Sequence, residues 1–87
     1  MKLEIHNSAL KNIKKTSLKI KQKIEKLVSC VMVDDFKNCP FPIKPLKGKY
    51  KIYNEILIDQ DYRVIYRIEN NTFFLRYAGT HNQLGTG

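Results

Sequence analysis

The feature that most limits the fold is a change of hydrophobic period part-way along the chain. From Asn7 to Val33 there is neither Gly nor Pro, and apolar residues recur at helical spacing. Ala9, Leu10 and Ile13 form a short stripe, and Leu18, Ile20, Ile24, Leu27, Val28, Val31 and Met32 form a longer one. Asn7 or Ser8 is a suitable cap for a first helix and Thr16 or Ser17 for a second, which predicts a helical hairpin over 8–15 and 18–32. A single bent helix is the alternative. Beyond Tyr50 the period is two. Tyr50, Ile52, Ile56 and Ile58 alternate with Lys51, Tyr53 and Glu55; Tyr62, Val64, Tyr66 and Ile68 alternate with Arg63, Ile65 and Arg67.

Between the two regimes, residues 34–48 hold Pro40, Pro42 and Pro45, too much proline for a helix or a central strand, so a connector is expected. Asn70-Asn71 suits a type I′ hairpin, because Asn tolerates positive φ at both central positions. A last strand is expected over 72–77, and Lys2–Ile5 reads as a short first one. The fold class expected is therefore α+β: an N-terminal strand, a two-helix hairpin, then a three-stranded antiparallel meander, all in one domain over 1–87.

No apolar run approaches the roughly 20 residues that span a bilayer, and no signal-peptide pattern opens the chain, so a cytoplasmic location away from membranes is expected. With 43% hydrophobic residues the composition is globular. The net charge of +8 is uneven: residues 1–33 carry eight lysines against Glu4 and Glu25, while all three arginines lie later. Such an excess favours polyanions, with acidic proteins as the second class of partner. The helix lysines, lying off the apolar stripes, also read simply as a solvated face. Cys30 and Cys39 have neither a second cysteine pair nor a nearby histidine to complete a zinc site, so reduced, structural thiols and no metal or cofactor are expected. A phosphate-cradling glycine loop, a nucleophile elbow, a paired His–Glu zinc motif and an EF-hand loop are all missing, which excludes hydrolases built on them.

Among chemistry-bearing residues, Arg63 and Arg67 share one strand face, opposite Tyr62, Val64, Tyr66 and Ile68. They could hold phosphates, with Tyr53 and Glu55 nearby, or simply balance Glu55 and Glu69. His81, after Gly79-Thr80, could serve as acid or base near neutral pH or be an ordinary surface histidine. Lys44, Lys47 and Lys49 cluster ahead of the next strand. Asp59 and Asp61 are ordinary turn residues.

Three stretches carry a family resemblance: Pro45-Leu46-Lys47-Gly48-Lys49-Tyr50-Lys51, Asp61-Tyr62-Arg63-Val64-Ile65-Tyr66, and Gly79-Thr80-His81 with Leu84. Together they resemble the RelE/ParE toxin superfamily, most closely its YafQ branch. The resemblance implies the toxin of a type II toxin–antitoxin pair, a ribosome-dependent mRNA endoribonuclease silenced by a partner antitoxin in a hetero-oligomer and touching rRNA as it works. The alternative is a ParE-like poison or degenerate toxin that acts by binding alone. Position by position, His81 falls on the catalytic histidine assigned as general acid, Asp61 on the aspartate of the turn and Arg63 on the transition-state arginine. Tyr62 replaces a tryptophan. Lys44 stands where YafQ-like toxins have a histidine and YoeB-like ones a glutamate, which makes it a candidate base beside Asp61 and Glu55. Lys47, Lys49, Tyr62 and Arg67 would contact RNA. Leu57, Tyr77 and Gly85 depart from the YafQ pattern at a histidine, an arginine and an aromatic position.

Overall fold

The computed structural model describes residues 1–80. The elements run β1 (Lys2–Ile5), α1 (Asn7–Lys15), α2 (Leu18–Met32), β2 (Ile43–Pro45), β3 (Asn54–Leu57), β4 (Tyr62–Glu69) and β5 (Thr72–Thr80), with short 3-10 turns at Phe36–Asn38 and Gly48–Tyr50. The helical hairpin forms within the stretch of helical spacing, as expected. Ser17 caps α2, its hydroxyl accepting from the Ile20 amide at 3.3 Å. The first cap differs from expectation. The helix begins at Asn7, so the cap is His6, whose Nδ1 accepts from the Ser8 amide at 3.2 Å.

Ile20, Ile24, Leu27 and Val31 line one side of α2 and are buried, together with Ala9 of α1, against Ile56, Val64, Tyr66, Phe73, Leu75 and Ala78 of the sheet. This spacing of four, three and four keeps the stripe on one helix face. Tyr66 and Phe73 stack at 4.5 Å between centroids, and Phe36 closes on both edge-on. Two lysines that sequence alone leaves to solvent also tie the layers together. Lys19 and Lys23 reach Asp59 in the β3–β4 turn at 3.6 and 3.5 Å. The Gln60 amide, chiefly, and these two ammonium groups hold the Asp59 carboxyl below its ordinary range.

The sheet is larger than a meander. It is five-stranded, in the order β1-β5-β4-β3-β2, with β1 parallel to β5 and the other pairs antiparallel. The proline-rich connector supplies the extra edge, β2. Proline is tolerated there because an edge strand leaves one side of its backbone unpaired. The strand expected from Tyr50 to Ile58 is shortened to Asn54–Leu57. Gly48, at φ 68°, starts a 3-10 turn that leaves Tyr50 and Ile52 41% and 62% exposed. Asn70 and Asn71 have φ of 52° and 58°, as the hairpin requires. Ile68, next to that turn, is 46% exposed rather than core. The last strand runs three residues past the expected 77, to Thr80.

Cys30 and Cys39 lie beside one another at the end of α2. Burial, reinforced by Cys30, pushes the Cys39 thiol up to about 12, which keeps it protonated and poorly nucleophilic near neutral pH. No helix among the described residues is long and apolar enough to cross a membrane.

Burial likewise raises the Tyr66 phenol from 10.0 to about 12. The unfolded chain ionises this group first, so its contribution is complete below pH 10 and is lost as pH rises toward 12. Denaturant melts across that range should therefore show alkaline destabilisation that Tyr66→Phe reduces. An unchanged alkaline limb in the variant would show that Tyr66 does not drive it.

Candidate active site

The sheet face turned away from the helices carries the charged residues. Its rows follow from the register. Glu55 lies opposite Ile65 on one side and Lys44 on the other, and Ile65 lies opposite Tyr77; one step along, Arg63 sits between Leu57 and Gly79. Glu55 is only 3% exposed, an unusual place for a carboxylate. It is matched there. Arg63 donates from Nη1 to Oε1 at 2.5 Å, and the Lys44 ammonium stands 3.7 Å from the same oxygen. Arg63 is 19% exposed and Lys44 66%, so the cluster is closed at its base and open at its rim. The Arg63 Nε is buried with no partner among the described residues.

One pairing therefore serves two ends. The carboxylate and guanidinium compensate each other's desolvation, and the guanidinium is fixed in orientation. An arginine held in this way, with a lysine at its rim, can meet an anion at the open side of the face. The carboxylate between them, 3% exposed, holds the two cations side by side.

A second group of side chains lies one row further along. Arg67 stacks on Phe74 at 4.3 Å and pairs with Glu69. Arg63 and Arg67 thus do balance Glu55 and Glu69, one of the two roles their alternation allowed. Arg76, which pattern reading did not single out, joins them because of a register shift opposite Ile65 and Tyr66. Ile65 pairs with Tyr77 but Tyr66 pairs with Leu75, leaving Arg76 as the extra residue of a bulge. No two-residue alternation announces this.

The other expected residues are dispersed. Lys47 and Lys49 are exposed in the loop before β3, Lys49 over the Tyr50 ring at 5.2 Å. Asp61 is exposed and lines a cleft on the α2 side with Thr16 and Lys19, away from the Arg63 cluster. Tyr62 requires a correction as an RNA contact. It is 6% exposed and part of the hydrophobic core, because alternation from Val64 turns it toward the helices, and its hydroxyl is buried without a partner among the described residues. Leu57 and Tyr77, the departures from the YafQ pattern, border the Arg63–Glu55 cluster. His81, Leu84 and Gly85 lie outside the described residues. Among the described residues no group of three His, Cys, Asp or Glu side chains could hold a metal ion.

No protein-family model matches the chain, and no curated protein matches its sequence. Solved structures do. A copper-bound mutant toxin from Helicobacter pylori superposes with a TM-score of 0.78 at 20% identity, covering 97% of this chain and 98% of that one. The Escherichia coli DinJ–YafQ complex gives 0.73 at 20% identity over 94% of both chains. The RelB–RelE antitoxin–toxin complex from Methanococcus jannaschii gives 0.76 at 20% identity over 93% of both. Two helices on one face of a mixed five-stranded sheet, matched over nearly the full length of these proteins, give the chain the fold of the RelE/ParE toxin superfamily.

Proposed function

We propose that this protein is the toxin of a toxin–antitoxin pair and an endoribonuclease that cuts mRNA held on the ribosome. The observation that carries the reading is the convergence of Arg63, Lys44 and Glu55 on the open face of this fold. Cleavage of RNA by its own 2′-hydroxyl needs a proton acceptor for that hydroxyl, positive charge on the phosphorane and an acid for the departing 5′-oxygen. Arg63 supplies charge from a fixed direction, and Lys44, at the rim, adds to it. We take Glu55, beside Arg63 and Lys44, as the acceptor rather than Asp61, which lines a different cleft. His81, directly after β5, is the acid. An acidic antitoxin segment, attracted by the basic surface, would silence the enzyme by covering this face.

The set is spare. Of the two histidines in the chain, His6 is engaged as a helix cap, so the two-histidine pair of a self-sufficient ribonuclease is missing. Holding the RNA near in-line geometry can supply several kcal/mol of the barrier, and the ribosome is the positioning device. Its rRNA is also a polyanion that suits a chain of net charge +8.

Two experiments test this. In the first, cleavage of one mRNA is compared alone and on programmed ribosomes at equal protein concentration, and strong ribosome dependence is expected. Equal rates would reject the mechanism, and gyrase inhibition without cleavage would favour a binding poison.

The second is a set of variants. Arg63→Lys keeps charge but loses the planar fork, and Glu55→Gln keeps shape but loses the acceptor. Each, like His81→Ala, should slow cleavage by roughly 10²–10⁴-fold. Asp61→Asn should have a smaller effect. A folded Glu55→Gln variant that cleaves at the wild-type rate would remove Glu55 from the chemistry.

A further inference from the structure

A cleft of about 300 Å³ opens on the same sheet face, beside the Arg63 cluster and nearer β1. Glu4, His6, Tyr53, Arg67, Phe74 and Arg76 line it. Its floor is set by register, since Phe74 lies between Glu4 of β1 and Arg67 of β4. Arg67 is four residues along β4 from Arg63, roughly 13 Å at the rise of an extended strand. A ligand group here is therefore not the one that Arg63 meets.

The donors in this cleft are of unequal availability. Arg67 sits over the Phe74 ring and is paired with Glu69. Arg76 sits over the Tyr77 ring, 4.3 Å from its centroid, and its Nη1 is buried with no hydrogen-bond partner among the described residues. A buried guanidinium N–H left without an acceptor is costly, and an incoming anion removes that cost. His6 lines the cleft as well, with its Nδ1 engaged at the α1 cap by the Ser8 amide. Glu4 is the one carboxylate lining the cleft. Tyr53 lines the same cleft and offers an aromatic surface.

We propose that this cleft is a nucleotide subsite, in which Arg76 and Arg67 hold a phosphate of a single RNA strand and Tyr53 stacks on its base. Two stacked guanidinium groups beside an aromatic ring suit a phosphate next to a base, as in grooves that track single strands. The bulge in β5 makes the site by adding Arg76 to a face that already carries Arg67. The subsite deepens the RNA-cleavage reading, with the strand running from this cleft toward Arg63. It does not require that the protein cleave.

The test measures binding of a short 2′-O-methyl RNA, which cannot be cut, by fluorescence anisotropy at several salt concentrations without ribosomes. Arg76→Gln should weaken binding about tenfold, as loss of a charge-assisted contact does. It should also lower the salt slope by about one. Arg67→Gln should act in the same direction, and Tyr53→Leu should weaken binding with little change in slope. Thermal melts confirm that each variant is folded. Folded Arg76→Gln and Arg67→Gln variants with wild-type affinity and slope would overturn the proposal. So would an acidic peptide that shifts the NMR signals of the Arg67 and Arg76 side chains where the RNA does not. An inactive protein that still shows the expected binding pattern would reject the nuclease reading and leave the subsite standing.

Discussion

Phe73, Leu75 and Ala78 all bury their side chains on the helix side of β5, although regular alternation would turn Ala78 the other way. The bulge at Arg76-Tyr77 resolves this parity conflict. It lets β5 pair along its length with β4 while Leu75 meets Tyr66 and Ala78 meets Val64 in the same core. β5 also holds β1 in parallel register, and the amide of Asn12 in α1 donates to the Ala78 carbonyl at 2.8 Å. Sheet order, helix docking and the outer face thus depend on how this one strand is divided between its two sides.

The outer face then becomes an electrostatic arrangement instead of a second core. A carboxylate as buried as Glu55 persists only when charge and hydrogen bonds replace its lost hydration. Arg63 supplies both from the neighbouring strand, and Lys44 approaches from the edge strand β2. The place of Lys44 in the cluster consequently depends on β2 forming at all. The proline-rich connector carries Lys44 to the site, although it was expected to form only a link. A similar logic orders the row beyond it, where the aromatic rings of Phe74 and Tyr77 shelter the flat faces of Arg67 and Arg76.

Much of this architecture was legible in the residues. A stretch without Gly or Pro at helical spacing, a capping serine at Ser17, Asn70-Asn71 between alternating segments and the Lys2–Ile5 strand each report a local preference that the fold obeys. Local signals also misled in identifiable ways. Tyr50 and Ile52 alternate like a strand, yet Gly48 turns the backbone before them. Ile68 has the right parity for the core but is left 46% exposed beside the hairpin turn. Tyr62 matched an RNA-contacting position by resemblance, whereas its own parity with Val64 already argued for the core.

By itself, the sequence determined what depends on neighbours along the chain: helix and hairpin positions, the parity of β4 and the separation of Arg63 from the core residues beside it. Only the tertiary structure decided what depends on neighbours across the sheet. The parallel pairing of β1, the edge strand β2, the meeting of Lys44, Glu55 and Arg63, and the outward turn of Arg76 all arise from register between segments far apart in sequence. Register is set by which packing of the whole core leaves the fewest voids and unpaired polar groups, a condition no local pattern contains.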